Sequence, residues 1–334
     1  MKNNIIVCGA LAYDRIMDFP GKFSEHILTG KTHILNLSFT VNEVKESFGG
    51  TGGNIAYNLS LLGEKPKLVA VVGKDFGKYA KWLKKNKIDI SSVKVVKDEL
   101  TASAYTMTDL ADNQITAFYP GNKIQISLTS SIKGVKCNPP NLLPARTTDA
   151  VQSGGYQEGI IAIIAPSIVA RMVEYAKIFK QNNISYIFDP GQQVAYYSAR
   201  ELEYAIKGAK MLIGNDYEIQ LILNKLKIKL SALQKLVEIL VITKGGRGAE
   251  LYNQNKKIIV PAAKKKISID TTGAGDAFRA GFIKGLVMRL ELKQCTRLAC
   301  VASAYAVENQ GTQNHKFTWP EVKRRYQENY GERL

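Results

Sequence analysis

The chain is poor in the residues that build metal centres and covalent frameworks. Its 334 residues include four cysteines, Cys8, Cys137, Cys295 and Cys300, and three histidines. No two cysteines stand at C-x-x-C spacing and all lie far from a histidine, a pattern that excludes a zinc site and a disulfide framework. The cysteines are expected to pack, Cys8 in a strand and Cys295 and Cys300 on a helix, and none is a candidate nucleophile. No apolar run reaches membrane-spanning length. Met1-Lys2-Asn3-Asn4 leads directly into Ile5-Ile6-Val7-Cys8, so no signal peptide is expected and the reading is cytoplasmic. Acidic residues are also scarce, with 29 Asp and Glu against 46 Lys and Arg and a formal net charge of +17. Such a balance can mark a nucleic-acid binder. The lysines, however, are scattered over amphipathic helices (Lys78, Lys81, Lys84, Lys85, Lys87) or form a brief cluster at Lys264-Lys265-Lys266, the placement of solvated faces. Nucleic acid is therefore not expected as a partner.

What is present describes an ordinary globular protein, 45% hydrophobic and 22% charged, long enough for one large α/β domain or two modest ones. The stretch D-T-T-G-A-G-D-A-F, residues 270–278, organises the rest. Apolar residues alternate before it in Lys265-Lys266-Ile267-Ser268-Ile269, which predicts a short strand. After it, Phe278, Phe282, Ile283, Leu286, Val287 and Leu290 recur at helical spacing. A glycine-containing turn that opens a helix points unpaired N–H groups one way and adds the positive end of the helix dipole, a site for phosphate. Asp276 lies in the first turn. Alone it would be an acidic residue favouring a helix start. Inside T-G-A-G-D it suits a base that takes a proton from a hydroxyl attacking phosphorus.

A second glycine-rich loop, F-G-G-T-G-G-N at residues 48–54, opens a helix carrying Ile55, Leu59 and Leu62. It lacks the G-K-[ST] of a Walker A loop, and Ile55 stands where a dinucleotide fingerprint needs its third glycine. Strand and helix alternate along the chain: strands are expected at Leu68 to Val72, Val93 to Val96, Ile160 to Ala165, Ser185 to Phe188, Lys210 to Gly214 and Ile239 to Thr243. Alternation through residues 32–39, and the runs at 103–108 and 114–119 around Asp112-Asn113, predict a small separate β-sheet. Residues 127–159 show no period; they admit either an insertion or a reading-frame slip restored near Ile160. The last helix is expected to carry Leu298, Val301, Ala302, Tyr305 and Val307 and to end near Asn309.

D-T-T-G-A-G-D-A-F resembles the C-terminal signature of the ribokinase-like (PfkB) carbohydrate and nucleoside kinases, and F-G-G-T-G-G-N resembles their N-terminal signature. The resemblance covers nearly all the chain outside residues 127–159. It implies a three-layer αβα sandwich with a mainly parallel central sheet and a small β lid, built from strands within about 14–46 and 101–120, over the sugar site. It implies that Asp276 is the catalytic base and that the amides of Gly273, Ala274 and Gly275 hold the transferred phosphoryl group. Asp14, Gly49, Gly50 and Asn54 would line the sugar site. N-D-Y-E, residues 215–218, matches the family's N-x-x-E element, so Asn215 and Glu218 would organise Mg²⁺ and phosphates through water; an ordinary Asn-capped helix start accounts for the same residues. T-K-G-G-R-G, residues 243–248, matches its nucleotide turn, with Thr243, Gly245 and Gly248 at ATP and Asn309 beside the adenine. Asp270 and Thr272 could border a monovalent cation such as K⁺.

Asp14, Asn215, Thr243 and Asp276 are all expected at C-terminal ends of strands, where open α/β sheets bind ligands. D-P-G-Q-Q, E-S-F-G-G-T-G-G-N and G-T-Q-N-H look most like the bacterial adenosine (nucleoside) kinase branch. The expected reaction is transfer of the γ-phosphoryl group of ATP to the 5′-hydroxyl of adenosine. Ribokinase or another sugar kinase of the family is the alternative acceptor class. A non-catalytic sugar- or nucleic-acid-binding protein on the same fold is the alternative of another kind. The oligomeric state, monomer or homodimer, is left open.

Overall fold

Apolar runs with no polar alternation form the centre of the main sheet. In the computed structural model, which describes residues 4–27, 37–111, 113–121, 159–253 and 256–334, β8 (Ile160–Ile164) is buried at every position. Strands buried on both faces belong inside a parallel sheet covered by helices. β8 pairs in parallel with β1 (Asn4–Cys8) and β9 (Tyr186–Phe188). Outward from β1 lie β4 (Lys67–Gly73) and β5 (Asp89–Val96); outward from β9 lie β10 (Met211–Asn215) and β11 (Ile239–Thr243), all parallel. Two antiparallel strands, β12 (Ala249–Asn253) and β13 (Lys256–Val260), complete nine.

Successive side chains of a strand point to opposite faces, and this chain builds a core on each. Ile5, Val7, Ile161 and Ile163 pack with residues of the helices Thr51–Leu61, Ala274–Val287 and Leu292–Val307. Ile6, Cys8, Ile160, Ala162 and Ile164 pack with residues of the helices Val169–Gln181, Ala199–Gly208 and Asp216–Leu226. The result is the expected three-layer α/β arrangement. Cys8, Cys295 and Cys300 are buried free thiols, as packing residues should be. No helix among the described residues is long and apolar enough to cross a membrane.

A second sheet of four strands runs in the order β3 (Glu43–Gly49), β2 (Ala12–Asp18), β6 (Ala102–Thr108), β7 (Gln114–Tyr119). β2 pairs antiparallel with β3 and parallel with β6, and β6 and β7 form a hairpin. Residues 28–36, with most of the alternation at 32–39, lie outside the described residues, as do Asp112, Cys137 and residues 122–158, which hold most of the irregular segment. Within the described part, residues 37–40 are not strand.

Three expectations are corrected. Residues 265–269 form no strand: β13 ends at Val260, Pro261 follows, and Ile267 and Ile269 are exposed rather than turned toward a core. The segment is instead tied to the end of the helix Leu292–Val307, whose Val307 carbonyl accepts from the N–H groups of Ile269 (2.8 Å) and Asp270 (3.3 Å). That helix is not the last. Thr318-Trp319-Pro320-Glu321 starts another, Trp319–Tyr330, with Pro in its first turn and a reciprocal Thr318–Glu321 capping box. Finally, only Asn215 and Thr243 sit at strand ends of the main sheet. Asp14 is in the middle of β2 and Asp276 follows an irregular loop.

One contact seats the glycine-rich loop on the main sheet. β1 ends at Cys8, and the following Gly9 meets Gly52 backbone to backbone: a Cβ on Gly52 would lie 2.8 Å from the carbonyl carbon of Gly9. Replacing Gly52 by Ala should therefore lower stability by about 1–3 kcal/mol, the usual range for overpacking. An unchanged melting temperature for Gly52→Ala would show that the two backbones separate freely.

Candidate active site

The helix Ala274–Val287 begins where Gly273 takes a left-handed conformation, φ 77°, that residues with a side chain rarely adopt. Ala274 N–H donates to the Thr271 carbonyl (3.3 Å), while the N–H groups of Gly273, Gly275 and Asp276 have no partner among the described residues. Of the three amides expected to hold a phosphoryl group, Ala274 is thus already engaged, and Asp276 supplies an open one that was not foreseen. A Cβ on Gly275 would lie 2.6 Å from Nη1 of Arg279, so a side chain there would have to displace the guanidinium.

Asp276 is 8% exposed, and its Oδ2 accepts from Asn54 Nδ2 at 2.8 Å. Burial pushes its carboxyl up to about 7; Arg279 and the Asn54 bond pull it down, and Asp189 and Glu218 oppose them. A carboxyl in this range is matched to accepting a proton near neutral pH.

Asn54 sits in the first turn of the helix Thr51–Leu61 and is buried with both ends of its amide engaged. Its Oδ1 accepts from Gln313 Nε2 (3.0 Å), which also donates to the Tyr79 hydroxyl (2.6 Å). Trp82 Nε1 donates to Gln313 Oε1 (3.0 Å), and the Tyr79 hydroxyl donates to the Gly49 carbonyl (2.8 Å). The residue expected at the sugar site thus has its amide oxygen on Gln313 and its amide nitrogen on the acid.

The glycines before it are crowded by the protein's own atoms. A Cβ on Gly49 would sit 2.1 Å from Asp14 Oδ2, and one on Gly50, at φ 82°, would sit 2.6 Å from Ala12 N. Asp14 therefore lies against Gly49, one bond from the Tyr79–Gln313–Asn54–Asp276 chain. Burial, and then the negative charge of Asp270, raise its carboxyl to about 6.

The nucleotide-side candidates form a second group. The register pairs Asn215 with Thr243 at adjacent strand ends. Asn215 Oδ1 accepts from Glu218 N–H and Glu218 Oε2 from Asn215 N–H, both at 2.8 Å, so the Asn-capped helix start is present. Glu218 is buried and 4.0 Å from Arg279 Nη2. Burial and Asp189 raise its carboxyl, against the pull of Arg279 and the Asn215 N–H. Around Gly245 a Cβ would meet open space, whereas at Gly248, φ 93°, it would lie 2.0 Å from the Val260 carbonyl. Gly248 is thus required by the turn into β12. Asn309 Nδ2 folds back on the Tyr305 carbonyl (3.2 Å).

Asp270 anchors its own loop: Oδ1 accepts from Thr272 N–H (2.8 Å) and Oδ2 from Gly311 N–H (2.9 Å). Burial pushes its carboxyl up, but these N–H groups outweigh burial and hold it below the usual range. Among the described residues no group of three or more His, Cys, Asp or Glu could hold a metal ion.

Five residues at this site carried no assigned role in the sequence: Tyr79, Trp82, Asp189, Arg279 and Gln313. Asp189 and Gln313 lie inside D-P-G-Q-Q and G-T-Q-N-H, stretches that pointed only to a branch of a family. Arg279 had a signal of its own, since a cation near a helix N-terminus opposes the helix dipole.

Comparison with known proteins agrees with this geometry. The family model for pfkB family carbohydrate kinases matches residues 11–319. A nucleoside kinase of Methanocaldococcus jannaschii is 31% identical over 293 residues, spanning 87% of this chain and 89% of that protein. The structure of Burkholderia thailandensis nucleoside kinase in complex with inosine superposes with a TM-score of 0.79 at 30% identity, over 99% of this chain and all of the other. The same kinase in complex with ADP-inosine gives a TM-score of 0.76 at 32% identity, over 98% of this chain and 97% of that one. The buried acid beside open amides, on this sheet and over this length of match, makes the chain a member of the pfkB family of carbohydrate kinases, a phosphotransferase acting on an alcohol group.

Proposed function

We propose that the protein transfers the γ-phosphoryl group of ATP to the 5′-hydroxyl of a nucleoside, adenosine being the first substrate to test. The observation that carries this reading is the Asp276 carboxylate, buried, oriented by Asn54 and flanked by the N–H groups of Gly273, Gly275 and itself, which have no partner among the described residues. Asp276 accepts the proton of the attacking hydroxyl as its oxygen bonds to the γ-phosphorus. The bond from phosphorus to the oxygen bridging to ADP breaks, and the open amides stabilise charge on the equatorial oxygens. Asp14 accepts hydrogen bonds from the acceptor's hydroxyls, beside Gly49 and Gly50. Thr243 and Gly245 lie on the nucleotide side, with Asn309 beside the adenine.

The oxygen donors of Asn215 and Glu218 suit Mg²⁺, but the capping box engages one oxygen of each, so contact through water is the arrangement that fits. Bound there, Mg²⁺ would neutralise charge on the phosphates. Asp270 and Thr272 are assigned to the border of a monovalent-cation site. The four-stranded sheet is assigned as the lid, whose closure would keep water from the γ-phosphate. The nucleoside kinases similar over most of their length favour a nucleoside over ribose as acceptor. A comparison of adenosine, inosine, cytidine, ribose and fructose 6-phosphate should show highest kcat/KM for a nucleoside; a preference for free ribose would replace this reading by a ribokinase.

Asp276→Asn should lower kcat by about 10²- to 10⁴-fold while ATP affinity stays near wild type, the usual size of a lost general base. Retention of a tenth or more of the activity would remove Asp276 from that role. Because the base works only when ionised and burial raises its carboxyl to about 7, kcat should climb as pH is raised through about 7 and then level off. A flat profile between about pH 5.5 and 8.5 would contradict an acid of that strength at the reacting hydroxyl.

A further inference from the structure

Beneath the turn that holds the open amides lies a buried ion pair, Arg279 with Asp189, that the reaction as described does not use. Arg279 is 7% and Asp189 1% exposed. The guanidinium grips Asp189 through two bonds, Nε to Oδ2 and Nη2 to Oδ1 (2.8 Å), and Nη2 lies 4.0 Å from Glu218 Oε2. Asp189 follows β9, and its N–H donates to the Ile164 carbonyl of β8 (2.9 Å), so the grip is fixed to the sheet. Nη1, which Asp189 does not take, lies against Gly275, where a Cβ would come within 2.6 Å of it.

We propose that Arg279 is a positioning residue for phosphoryl transfer, clamped by Asp189 so that its guanidinium backs the Gly275 turn and sets a positive charge beside the Asp276 carboxylate. The inference rests on the reading of Asp276 as the base. A stability role alone is a weak account, because a buried ion pair is commonly no better for stability than apolar residues of the same volume. The charges explain more. Asp189, Glu218 and Asp276 bring three carboxylates to one buried region, and Arg279 is the cation that faces all three. Among the described residues, the other elements packed on Asp276 bring only neutral groups, the Asn54 amide and the Tyr79 hydroxyl. Without Arg279, ionising Asp276 would add a third negative charge to a region with no counter-charge among the described residues.

The test uses Arg279→Met, Arg279→Lys and Asp189→Asn in the full chain, with kcat, KM and melting temperature measured across pH. Losing the cation should move the acid limb of kcat upward in Arg279→Met by about one to three pH units, the usual effect of removing a neighbouring opposite charge. Arg279→Lys keeps the charge but not the fork, so its limb should stay near wild type while kcat falls. Asp189→Asn removes a negative neighbour, so its limb should move down. In Arg279→Met kcat should change more than either KM. A wild-type limb in Arg279→Met, or losses in all three variants that merely follow melting temperature, would overturn the proposal. If Arg279→Met does not fold, an unmoved or rising limb in Asp189→Asn overturns it equally. Wild type and Asp276→Asn run alongside separate the two readings: an active Asp276→Asn defeats the base, whereas failure of Arg279 alone leaves the base in place.

Discussion

A carboxyl group buried inside a protein sets the terms for everything around it. Burying a carboxylate is expensive unless hydrogen bonds and opposite charge compensate it. Around Asp276 the compensation comes from the Asn54 amide and the Arg279 guanidinium. Each of these is itself polar and buried and needs partners in turn. Asn54 is held by Gln313, and Gln313 by Tyr79 and Trp82; Arg279 is held by Asp189, just past the end of β9 in the middle of the sheet. One carboxyl group thereby recruits side chains from two further helices, a strand end and the segment after the helix Leu292–Val307. Networks of this kind are stabilising when complete and costly when broken.

The same bonds join the two sheets. Gly49 ends β3 of the smaller sheet, and its carbonyl is bonded to Tyr79, whose hydroxyl accepts from Gln313. Asp14, central in β2, lies over Gly49. The smaller sheet and the acid thus share one set of hydrogen bonds, and a displacement of β3 is felt at Asp276 through Tyr79 and Gln313 rather than through packing alone.

Much of the scaffold was legible in the sequence. Continuous apolar runs such as Ile160 to Ile164 gave buried parallel strands, and glycine-rich turns before apolar periodicity gave the two helix starts. Asn215 and Glu218, three apart, gave a cap that the structure contains. The failures have physical causes. Alternation at residues 265–269 reads as a strand, yet a strand also needs a neighbour to pair with, and Val307 offers carbonyl contacts instead of a ladder. The final helix was announced by Thr318, Pro320 and Glu321 but weakly by apolar residues. The side chains that shape the acid were the least visible. Asn54 and Asp276 lie 222 residues apart, and Arg279 and Asp189 lie 90 apart. Nothing local in either stretch reports such a distant partner.

The meeting of Gly9 and Gly52 has a wider consequence. Because two main chains touch there, the absence of side chains at that corner is enforced by assembly of the scaffold, whatever reaction the scaffold later performs. Gly50 is fixed in the same way, against the main chain at Ala12. A family signature written in glycines therefore identifies architecture, and proteins sharing it can diverge in chemistry without disturbing it.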